Sequence, residues 1–305
     1  MWLGDIKQNS GSAREVGFIG SLRFWFEGIL RGHNKIVCGI KTGVCGKVDQ
    51  CGACALFGCT SFARRFRIEL DGLPAVGLFL QREERYENGE EDLCGVSKEA
   101  LFGDNPFLVR ITPRRGDRER TAAIVRAIIR TAAECGGLGA RTHIGFGQVR
   151  VESQTEGDAT WDKQVLEAFI KSLPNATIAP TAGLFSLNPA SGFFQNTYEV
   201  DPLALKRLEM VPRQNGLAWQ IGAPYLPLGL HLRNSIIRPV VGGIRDDDLM
   251  SDLFGRPGFT SRLHVSHFYS PDKHGIYQLK VWGEAKRKQT EVEKAIYSAL
   301  RFLEP

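Results

Sequence analysis

Residues 136–149, GGLGARTHIGFGQV, place five glycines, one arginine and one histidine in a loop between a helix and a strand. The helical pattern before this loop covers residues 120–134, and a short alternating stretch follows at residues 146–152. A dinucleotide-binding glycine loop has the opposite order, because it follows a strand and opens a helix. The order found here therefore argues against a nucleotide cofactor. We call residues 136–149 the glycine loop.

The glycine loop is suited to a close approach to a sugar–phosphate backbone. Positions without side chains let another chain come near, and peptide N–H groups there can face phosphate oxygens. Arg141 adds a fork of further donors. The structural alternative is that Gly136 or Gly137 ends the helix and a tight turn follows. Because an arginine and His143 stand among the glycines, the sequence favours a backbone-binding loop.

The bulk composition is that of a globular protein large enough for two domains. The 305 residues are 43% hydrophobic and 24% charged, with a formal net charge of +5. This mildly basic balance fits an anionic partner without requiring one. The sequence shows no long apolar run and no secretory signal pattern at its start. We therefore expect no membrane association and a cytoplasmic location.

A helix is predicted at residues 18–31, FIGSLRFWFEGILR, from the spacing of its apolar side chains. Gly20 and Ser21 are predicted to open this helix, with Ser21 as the N-cap. Free N–H groups at a helix start, the serine hydroxyl and Arg23 would together form a phosphate site. The alternative is an ordinary N-cap beside a solvated arginine.

Cysteines are crowded in one segment, since five of the seven lie between residues 38 and 59. Without a secretory signal, such crowding indicates a metal before disulfides. Cys51 and Cys54 form a chelating pair, and Cys38 and Cys45 would complete a four-thiolate zinc site. The polar, glycine-rich residues between them cannot form a core, whereas bound zinc would fold the segment. The alternative is free thiols, with His33 as a further candidate ligand and Cys59 as a ligand or a small core residue.

Basic residues are concentrated on two predicted strands and the turn after them. Residues 62–70 alternate between buried and basic positions, and residues 107–112 form a second strand. Basic groups beside phenylalanines on a sheet can hold phosphates and stack bases, although a solvated face is the alternative. Residues 80–95 are charged and predicted to form a loop. The arginines concerned are Arg64, Arg65, Arg67, Arg110, Arg114, Arg115, Arg118 and Arg120.

The second half of the chain repeats the first in outline. Leu22-Arg23 is echoed by Leu232-Arg233, and the Leu-Phe-Gly at residues 56–58 recurs at 253–255. Two strands and a helix follow in each half, with the second-half helix at residues 289–302. This order predicts two copies of one α+β unit with antiparallel sheets and helices on one face.

Two further patterns resemble metal sites but are interpreted as structural. His264 and His267 are expected on opposite faces of a strand, and the acidic residues 246–248 are expected to cap a helix.

Three segments in this order resemble the RAMP proteins of CRISPR effectors. They are SLRFWF at residues 21–26, the Leu-Phe-Gly after the cysteine pair, and GARTHIGFGQV at residues 139–149. The resemblance is closest to the first-subunit family of the Cmr (type III-B) RNA-targeting complex, and it covers residues 1–152 well and the rest weakly. It implies two tandem ferredoxin-like, RRM-like modules, at residues 1–152 and 153–305, with a cysteine-rich insert in the first.

The resemblance also implies a non-catalytic role in antiviral defence. Such a subunit binds CRISPR guide RNA and single-stranded target RNA near one end of an assembly of RAMP subunits. The guide-backbone contact of relatives carries over to Ser21 and Arg23. The residues expected to bind RNA are Gly20, Ser21, Arg23, Gly137, Gly139, Arg141, His143, Gly145, Arg65 and Arg67.

Two enzymatic alternatives remain open at this stage. One is a RAMP-type metal-independent endoribonuclease that processes CRISPR RNA, with His143 or His33 as general base. In such nucleases, however, the glycine loop lies near the end of the chain, whereas a second module follows it here. The other is a nucleotide-dependent enzyme, which the missing GxxxxGK[ST] motif argues against.

Overall fold

The computed structural model describes residues 15–38, 51–59, 62–71, 76–85, 91–100, 107–139, 147–152, 157–176, 187, 192–201, 229, 232–255, 261–266 and 277–304. Helices and short antiparallel sheets alternate along these residues, so the chain is an α+β protein, as its sequence predicts. The small sheets are consistent with a ferredoxin-like fold.

The first half is built around one pair of strands and two long helices. Its helices and strands are α1 (Glu15–Gly32), α2 (Gly52–Phe57), β1 (Phe66–Asp71), β2 (Val76–Arg85), β3 (Glu91–Ala100), β4 (Leu108–Pro113) and α3 (Arg118–Cys135). β1 and β4 are antiparallel, with Ile68 opposite Ile111. Phe66 and Ile68 are fully buried while Arg65 and Arg67 are exposed, which confirms the predicted alternation.

A β-hairpin lies between β1 and β4, where the sequence predicted a loop. β2 and β3 pair antiparallel from Val76 opposite Ala100 to Arg85 opposite Glu91. The loop prediction was therefore wrong for residues 80–85 and 91–95, whereas residues 86–90 lie outside the described residues. It relied on the charged composition, but a two-stranded ladder is held by backbone hydrogen bonds that any side chain permits except that of proline.

The second half has the strand order expected of a ferredoxin-like unit. Its elements are β5 (Phe193–Val200), a π-helix (Leu232–Ile237), α5 (Arg238–Gly242), α6 (Asp247–Phe254), β6 (Leu263–Val265), β7 (Tyr277–Glu284) and α7 (Gln289–Leu300), followed by a 3₁₀ turn (Arg301–Leu303). β7 lies between β5 and β6 and is antiparallel to both. The sequence of strand, helices, two strands and helix reproduces the first five elements of a β-α-β-β-α-β unit.

The two halves contact each other beside the C-terminal end of α3. Trp282 of β7 belongs to the core of the first half, where its ring centroid lies 5.1 Å from that of Trp25. The Lys280 side chain donates a 2.8 Å hydrogen bond to the Ala133 carbonyl, and the Gln195 side chain donates one of 2.8 Å to the Glu134 carbonyl. Cations and donors suit this end of a helix, because its last carbonyls have no partner within the helix.

One further helix, α4 (Gly157–Ser172), follows residue 152 but packs on the first half. Its Leu166 and Ile170 side chains lie in the core built by α1 and α3. No helix was predicted here from the sequence. The domain division at residue 152 stays a prediction, with α4 contributing to the core of the preceding module.

Candidate nucleic-acid interface and metal centre

The base of the glycine loop is closed by hydrogen bonds between its two ends. The Leu138 N–H donates a 2.8 Å bond to the Gly147 carbonyl, and the Gln148 side-chain amide donates one of 2.6 Å to the Gly136 carbonyl. Gly139 and Gly147 have φ values of 93° and 99°. Such left-handed backbone strongly favours glycine, so these two glycines are required by the shape of the loop.

Helix α1 holds the same loop base from the side. The Ser21 hydroxyl oxygen accepts a 2.9 Å hydrogen bond from the Gly139 N–H. The buried indole N–H of Trp25 donates a 2.8 Å bond to the Gly137 carbonyl. The structure thus brings together two segments that the sequence nominated separately as RNA-binding.

Gly136 fits between two tryptophans at the junction of the halves. A Cβ built on Gly136 would lie 2.6 Å from atoms of both Trp25 and Trp282, a distance that real Cβ atoms essentially never show. Its φ of −172° is extended backbone, so close approach and not conformation explains the glycine. Gly136 also ends α3, its N–H donating to the Ala132 carbonyl, as the structural alternative predicted. His264 is buried and stacks on the Trp282 ring at 3.7 Å, in agreement with its non-metal interpretation.

Ser21 is not the N-cap that the sequence predicted. Helix α1 begins at Glu15, so Gly20 and Ser21 lie inside it. Their N–H groups are therefore not the free donors of a helix start. Nothing lies within 4 Å of a Cβ built on Gly20. The Ser21 contribution is its side chain, which anchors the loop.

Several predicted site residues lie outside the described residues. They are Arg141, His143 and Gly145 of the glycine loop, together with Cys45 and His267. Their roles stay predictions.

Arg23 makes contacts within the protein through all three guanidinium nitrogens. Nε donates to the Glu27 carboxylate at 2.9 Å, one terminal nitrogen donates to the Gly58 carbonyl at 2.9 Å, and the other to the Cys54 sulfur at 3.3 Å. Burial acts to lower the pKa of Arg23, but hydrogen bonding and the charges of Glu27 and Cys54 raise that pKa above its ordinary value. We call this arrangement the Arg23 site. Arg23 ties α1 to α2 in this arrangement, and its predicted contact with an RNA phosphate stays a prediction.

Three of the four predicted zinc ligands come together beside α2. The Cys38 sulfur lies 3.3 Å from that of Cys54 and 3.5 Å from that of Cys51, and all three sulfurs lie within 4.8 Å of one another. Cys51 and Cys54 are buried and Cys38 is half-buried. We call these three residues the cysteine cluster. Among the described residues, neither His33 nor Cys59 is part of it; Cys59 packs against the hydrophobic core.

The cysteine cluster fits a thiolate-bound metal such as zinc. A tetrahedral Zn–S bond of about 2.3 Å implies sulfur–sulfur separations of about 3.8 Å, and the present distances are close to that. Burial acts to raise the pKa of the Cys51 thiol, but hydrogen bonds from the Cys38 and Cys54 backbone and side chains lower it below its ordinary value. Metal binding requires the thiolate form. No metal is shown here, and three thiolates leave one position of a tetrahedral site to another ligand.

A second arginine, Arg233, makes an equivalent set of contacts in the second half. Its side chain donates to the carbonyls of Leu263 and Phe254 at 3.2 and 2.8 Å and to the Ser261 hydroxyl at 2.6 Å. The sequence paired Arg233 with Arg23 in the repeat but assigned it no role. We call this arrangement the Arg233 site. Burial and the nearby Arg238 lower the pKa of Arg233 to about 10.

The exposed face of β1 and β4 carries charges of both signs. The Arg67 Nε lies 3.2 Å from a Glu69 carboxylate oxygen, and an Arg110 terminal nitrogen lies 3.3 Å from the other oxygen. Arg65 is exposed on the same side, whereas Phe66 faces the core and cannot stack a base on this surface. These strands therefore offer arginines for phosphates, partly balanced by a carboxylate.

Sequence reasoning missed a buried ion pair between α3 and α4. The Asp162 side chain is fully buried, and its two oxygens accept hydrogen bonds from Arg126 at 2.9 and 2.6 Å and a further bond from Arg130. The available signal was the spacing of Arg126 and Arg130, which places both on one face of a helix. This group fixes α4 on α3.

None of the helices in the described part of the chain combines the length and apolar character needed to span a membrane.

Comparison with known proteins gives one result that bears on this site. No curated protein sequence matches the chain. The model of the RAMP superfamily matches residues 14–150, which extend from the start of α1 to the end of the glycine loop; residues 147–152 do not form the strand that the sequence predicted. The match therefore contains α1, the cysteine cluster and the glycine loop, so this part of the chain is similar to the RAMP superfamily.

Proposed function

We propose that this protein is a non-catalytic RNA-binding subunit of a type III-B CRISPR ribonucleoprotein, resembling the first subunit of the Cmr complex. The RAMP match suggests a CRISPR-associated RNA-binding role in general. The proposal adds that the subunit contacts guide RNA and single-stranded target RNA near one end of the complex. Its other partners are further RAMP subunits, and its location is cytoplasmic.

The observation that carries this proposal is the junction of Ser21 with Gly139. Its 2.9 Å hydrogen bond attaches the glycine loop to α1 and limits the positions that the loop can adopt. A preorganised loop loses less conformational entropy when it binds a ligand. A hydroxyl that accepts one hydrogen bond can also donate its own proton, so Ser21 can serve an RNA phosphate from the same position.

Positive charge for the RNA backbone comes from the neighbouring strands. Arg67 is exposed on β1 and Arg65 is exposed just before it, while Arg110 of β4 is exposed opposite Glu69 of β1. Phosphate contacts of this kind supply affinity that does not depend on base sequence. Since Phe66 is buried, we do not assign base stacking to this face.

Two tandem ferredoxin-like modules are part of the proposal. In support, both halves contain a helix that ends at a glycine with φ of 79°, Gly58 or Gly255. In both, a backbone N–H seven residues later returns to that helix: Arg65 to the Leu56 carbonyl at 3.1 Å, and Arg262 to the Leu253 carbonyl at 3.2 Å. Zinc in the cysteine cluster is proposed as a structural element of the first module.

The endoribonuclease alternative receives little support from the position of His33. This residue follows the C-terminal end of α1, roughly 18 Å along the helix axis from Ser21 at about 1.5 Å per residue. A general base must lie within hydrogen-bonding reach of the proton it removes. This separation from Ser21 favours His143 over His33 as the general base in that alternative.

The test is a binding and cleavage series with labelled single-stranded RNA at increasing salt. Native and denaturing gels are run side by side for the wild type, for Arg65→Ala/Arg67→Ala and for His143→Ala, with duplex DNA as the comparison substrate. We expect intact, retarded RNA, and a salt slope reduced by about two for the double variant. RNA shortened by the wild type but not by His143→Ala would replace this proposal with the nuclease. Absence of binding both by the isolated chain and by the assembled complex would overturn it.

A further inference from the structure

Helix α1 lies between the cysteine cluster and the glycine loop and contacts both. Ser21 and Trp25 are one helical turn apart, so they share the face that holds the loop base. Arg23 projects from the other side of the helix, toward Cys54 and Gly58. Three residues on one rigid helix therefore join two sites that are distant in sequence.

Arg23 holds α2 at two points. One contact is with the Cys54 sulfur inside α2, and the other is with the carbonyl of Gly58, the residue that ends this helix. The carboxylate of Glu27 fixes the guanidinium from α1 at 2.9 Å. An N–H group that donates to a metal-bound thiolate orients that ligand and balances its charge.

Helix α2 has only six residues and depends on contacts outside itself, namely the core packing of Leu56 and Phe57 and the hydrogen bonds from Arg23. Helices of this length are not stable alone in water. Its start carries the cysteine pair, and Cys38 reaches the pair from the preceding segment. A metal bound by these three sulfurs would fix the position of α2, and with it the two acceptors of Arg23.

We infer that a metal ion in the cysteine cluster controls the glycine loop through Arg23 and α1. With metal bound, α2 and Arg23 hold α1 in the position where Ser21 and Trp25 close the loop base. Without metal, Arg23 loses fixed acceptors at Cys54 and Gly58 together, and the loop base opens more often. A sulfur-rich set of this kind selects zinc among the common divalent ions. The part concerning RNA rests on the proposed function, whereas the link between metal and loop does not.

The first experiment measures amide hydrogen exchange in the full chain, with zinc bound and after removal of zinc by a chelator. The amides of Leu138 and Gly139 report the loop base, because they donate to Gly147 and Ser21. We expect exchange at these amides to become about tenfold faster or more without metal. Equal exchange in both states would overturn the inference.

Two variants test the connection between the metal and the loop base separately from metal binding itself. Arg23→Met keeps a long side chain but removes the donors, and Co²⁺ absorption from thiolate ligands shows whether the variant still binds metal. We expect Arg23→Met to bind Co²⁺ and to show fast loop exchange even with zinc present. Arg301→Met is the control, since Arg301 is exposed in the 3₁₀ turn after α7, and its Co²⁺ binding and loop exchange should match those of the wild type. Protected, metal-responsive loop amides in a Co²⁺-binding Arg23→Met would overturn the role of Arg23, and failure of the wild type to bind Co²⁺ would overturn the metal site.

RNA affinity then tests the regulatory consequence. We expect the zinc-bound protein to bind single-stranded RNA about fivefold more tightly than the zinc-free protein, a typical size for coupling between two sites. Equal affinity in both states would remove the link to RNA while leaving the proposed function intact. Loop exchange that responds to zinc in a protein that binds no RNA in either state, alone or in the assembled complex, would support the link and overturn the proposed function.

Discussion

The Arg23 site and the Arg233 site use the same design with different partners. In each, an arginine that follows a leucine reaches the carbonyl at the end of a helix, Gly58 or Phe254. The remaining contacts of Arg23 are ionic or involve sulfur, namely Glu27 and Cys54, whereas Arg233 bonds to neutral oxygens. The Arg23 side chain is 32% exposed, and Arg233 is 5% exposed.

This difference in hydrogen-bond partners indicates which of the two arginine sites can respond to metal binding. Neutral carbonyls and a hydroxyl keep the same charge across the physiological pH range, so the Arg233 site is a fixed structural joint. A cysteine changes from thiol to metal-bound thiolate, so the strength of the Arg23 contact depends on the occupancy of the cysteine cluster. The second half thus has a constant contact at Arg233, whereas we propose that the contact of Arg23 in the first half responds to metal.

The largest effect is expected from Arg233→Met. The carbonyls of Phe254 and Leu263 and the Ser261 hydroxyl would each lose a buried donor, and we expect the free energy of unfolding to fall by about 3 kcal/mol. Urea denaturation measures the loss, which should be the same with zinc and with chelator. Arg238→Met is the matched control, because Arg238 is exposed and only lies over the same Phe254 ring at 5.6 Å. A loss no larger than that of the control would show that the buried hydrogen bonds contribute little.

Arg23→Met should lower the free energy of unfolding by less than Arg233→Met does, and the loss should depend on zinc. With zinc bound, the loss of contacts with Cys54 and Gly58 should lower the free energy of unfolding by about 2 kcal/mol. After chelation the same substitution should cost about 1 kcal/mol, because the thiol is a weaker acceptor than a metal-bound thiolate. Parallel urea titrations of both proteins in zinc and in chelator measure the difference. The same loss in both buffers would make the two arginine sites equivalent and remove the contrast drawn between them.

Local patterns in the sequence were sufficient to predict several helices and strands but not the contacts of Arg23 and Asp162. Helical spacing predicted α1, α3 and α7, and the alternation in β1 was confirmed because both patterns come from neighbours along the chain. The partners of Arg23 are 31 and 35 residues away in sequence, so nothing local indicates them. The same limit hid the buried Asp162, whose arginines stand 32 and 36 residues before it.

Errors at the candidate site came from local signals that tertiary structure overrides. Gly20-Ser21 resembles a helix start, yet α1 already begins at Glu15, because the packing of Phe18 and Leu22 into the core outweighs the low helix propensity of one glycine. The cysteine spacing predicted three residues that do come together. A chelating pair such as Cys51 and Cys54 is a local feature of the chain, which is why the cysteine cluster was easier to predict than the start of α1.

Glu284→Gln should raise the free energy of unfolding, in contrast to the two arginine substitutions. Glu284 is buried next to the Arg233 site, 3.4 Å from Arg262, and its Oε1 has no hydrogen-bond partner among the described residues. Burial raises the pKa of Glu284 above its ordinary value of 4.5. The stabilising effect of its protonated form is therefore complete below pH 4.5 and is lost as pH rises through the folded-state pKa. The neutral glutamine avoids this loss, so at pH 7 the variant should be more stable by about 1 kcal/mol.

The measurement for Glu284→Gln is the free energy of unfolding between pH 4 and pH 8. Wild type should lose stability relative to the variant as pH rises, and the two curves should meet at the acidic end. A variant less stable than wild type at pH 7, with the same pH dependence, would show that the Glu284 charge is compensated by Arg262.

Ser21→Ala should give the smallest change in the free energy of unfolding and should still lower the affinity for RNA. Loss of the single hydrogen bond from Gly139 should lower the free energy of unfolding by about 0.5 kcal/mol. RNA affinity should fall about threefold at every salt concentration, because an anchoring contact is lost but no charge is removed, and the salt slope counts phosphate contacts by charged groups. Arg65→Ala/Arg67→Ala should instead change the salt slope.

Ser172→Ala is the control for Ser21→Ala. Among the described residues, its exposed hydroxyl bonds to the Phe169 carbonyl of its own helix. A changed salt slope in Ser21→Ala would mean that Ser21 positions a cationic side chain on the RNA, and that the loop base is coupled to the charged surface as well as to the cysteine cluster.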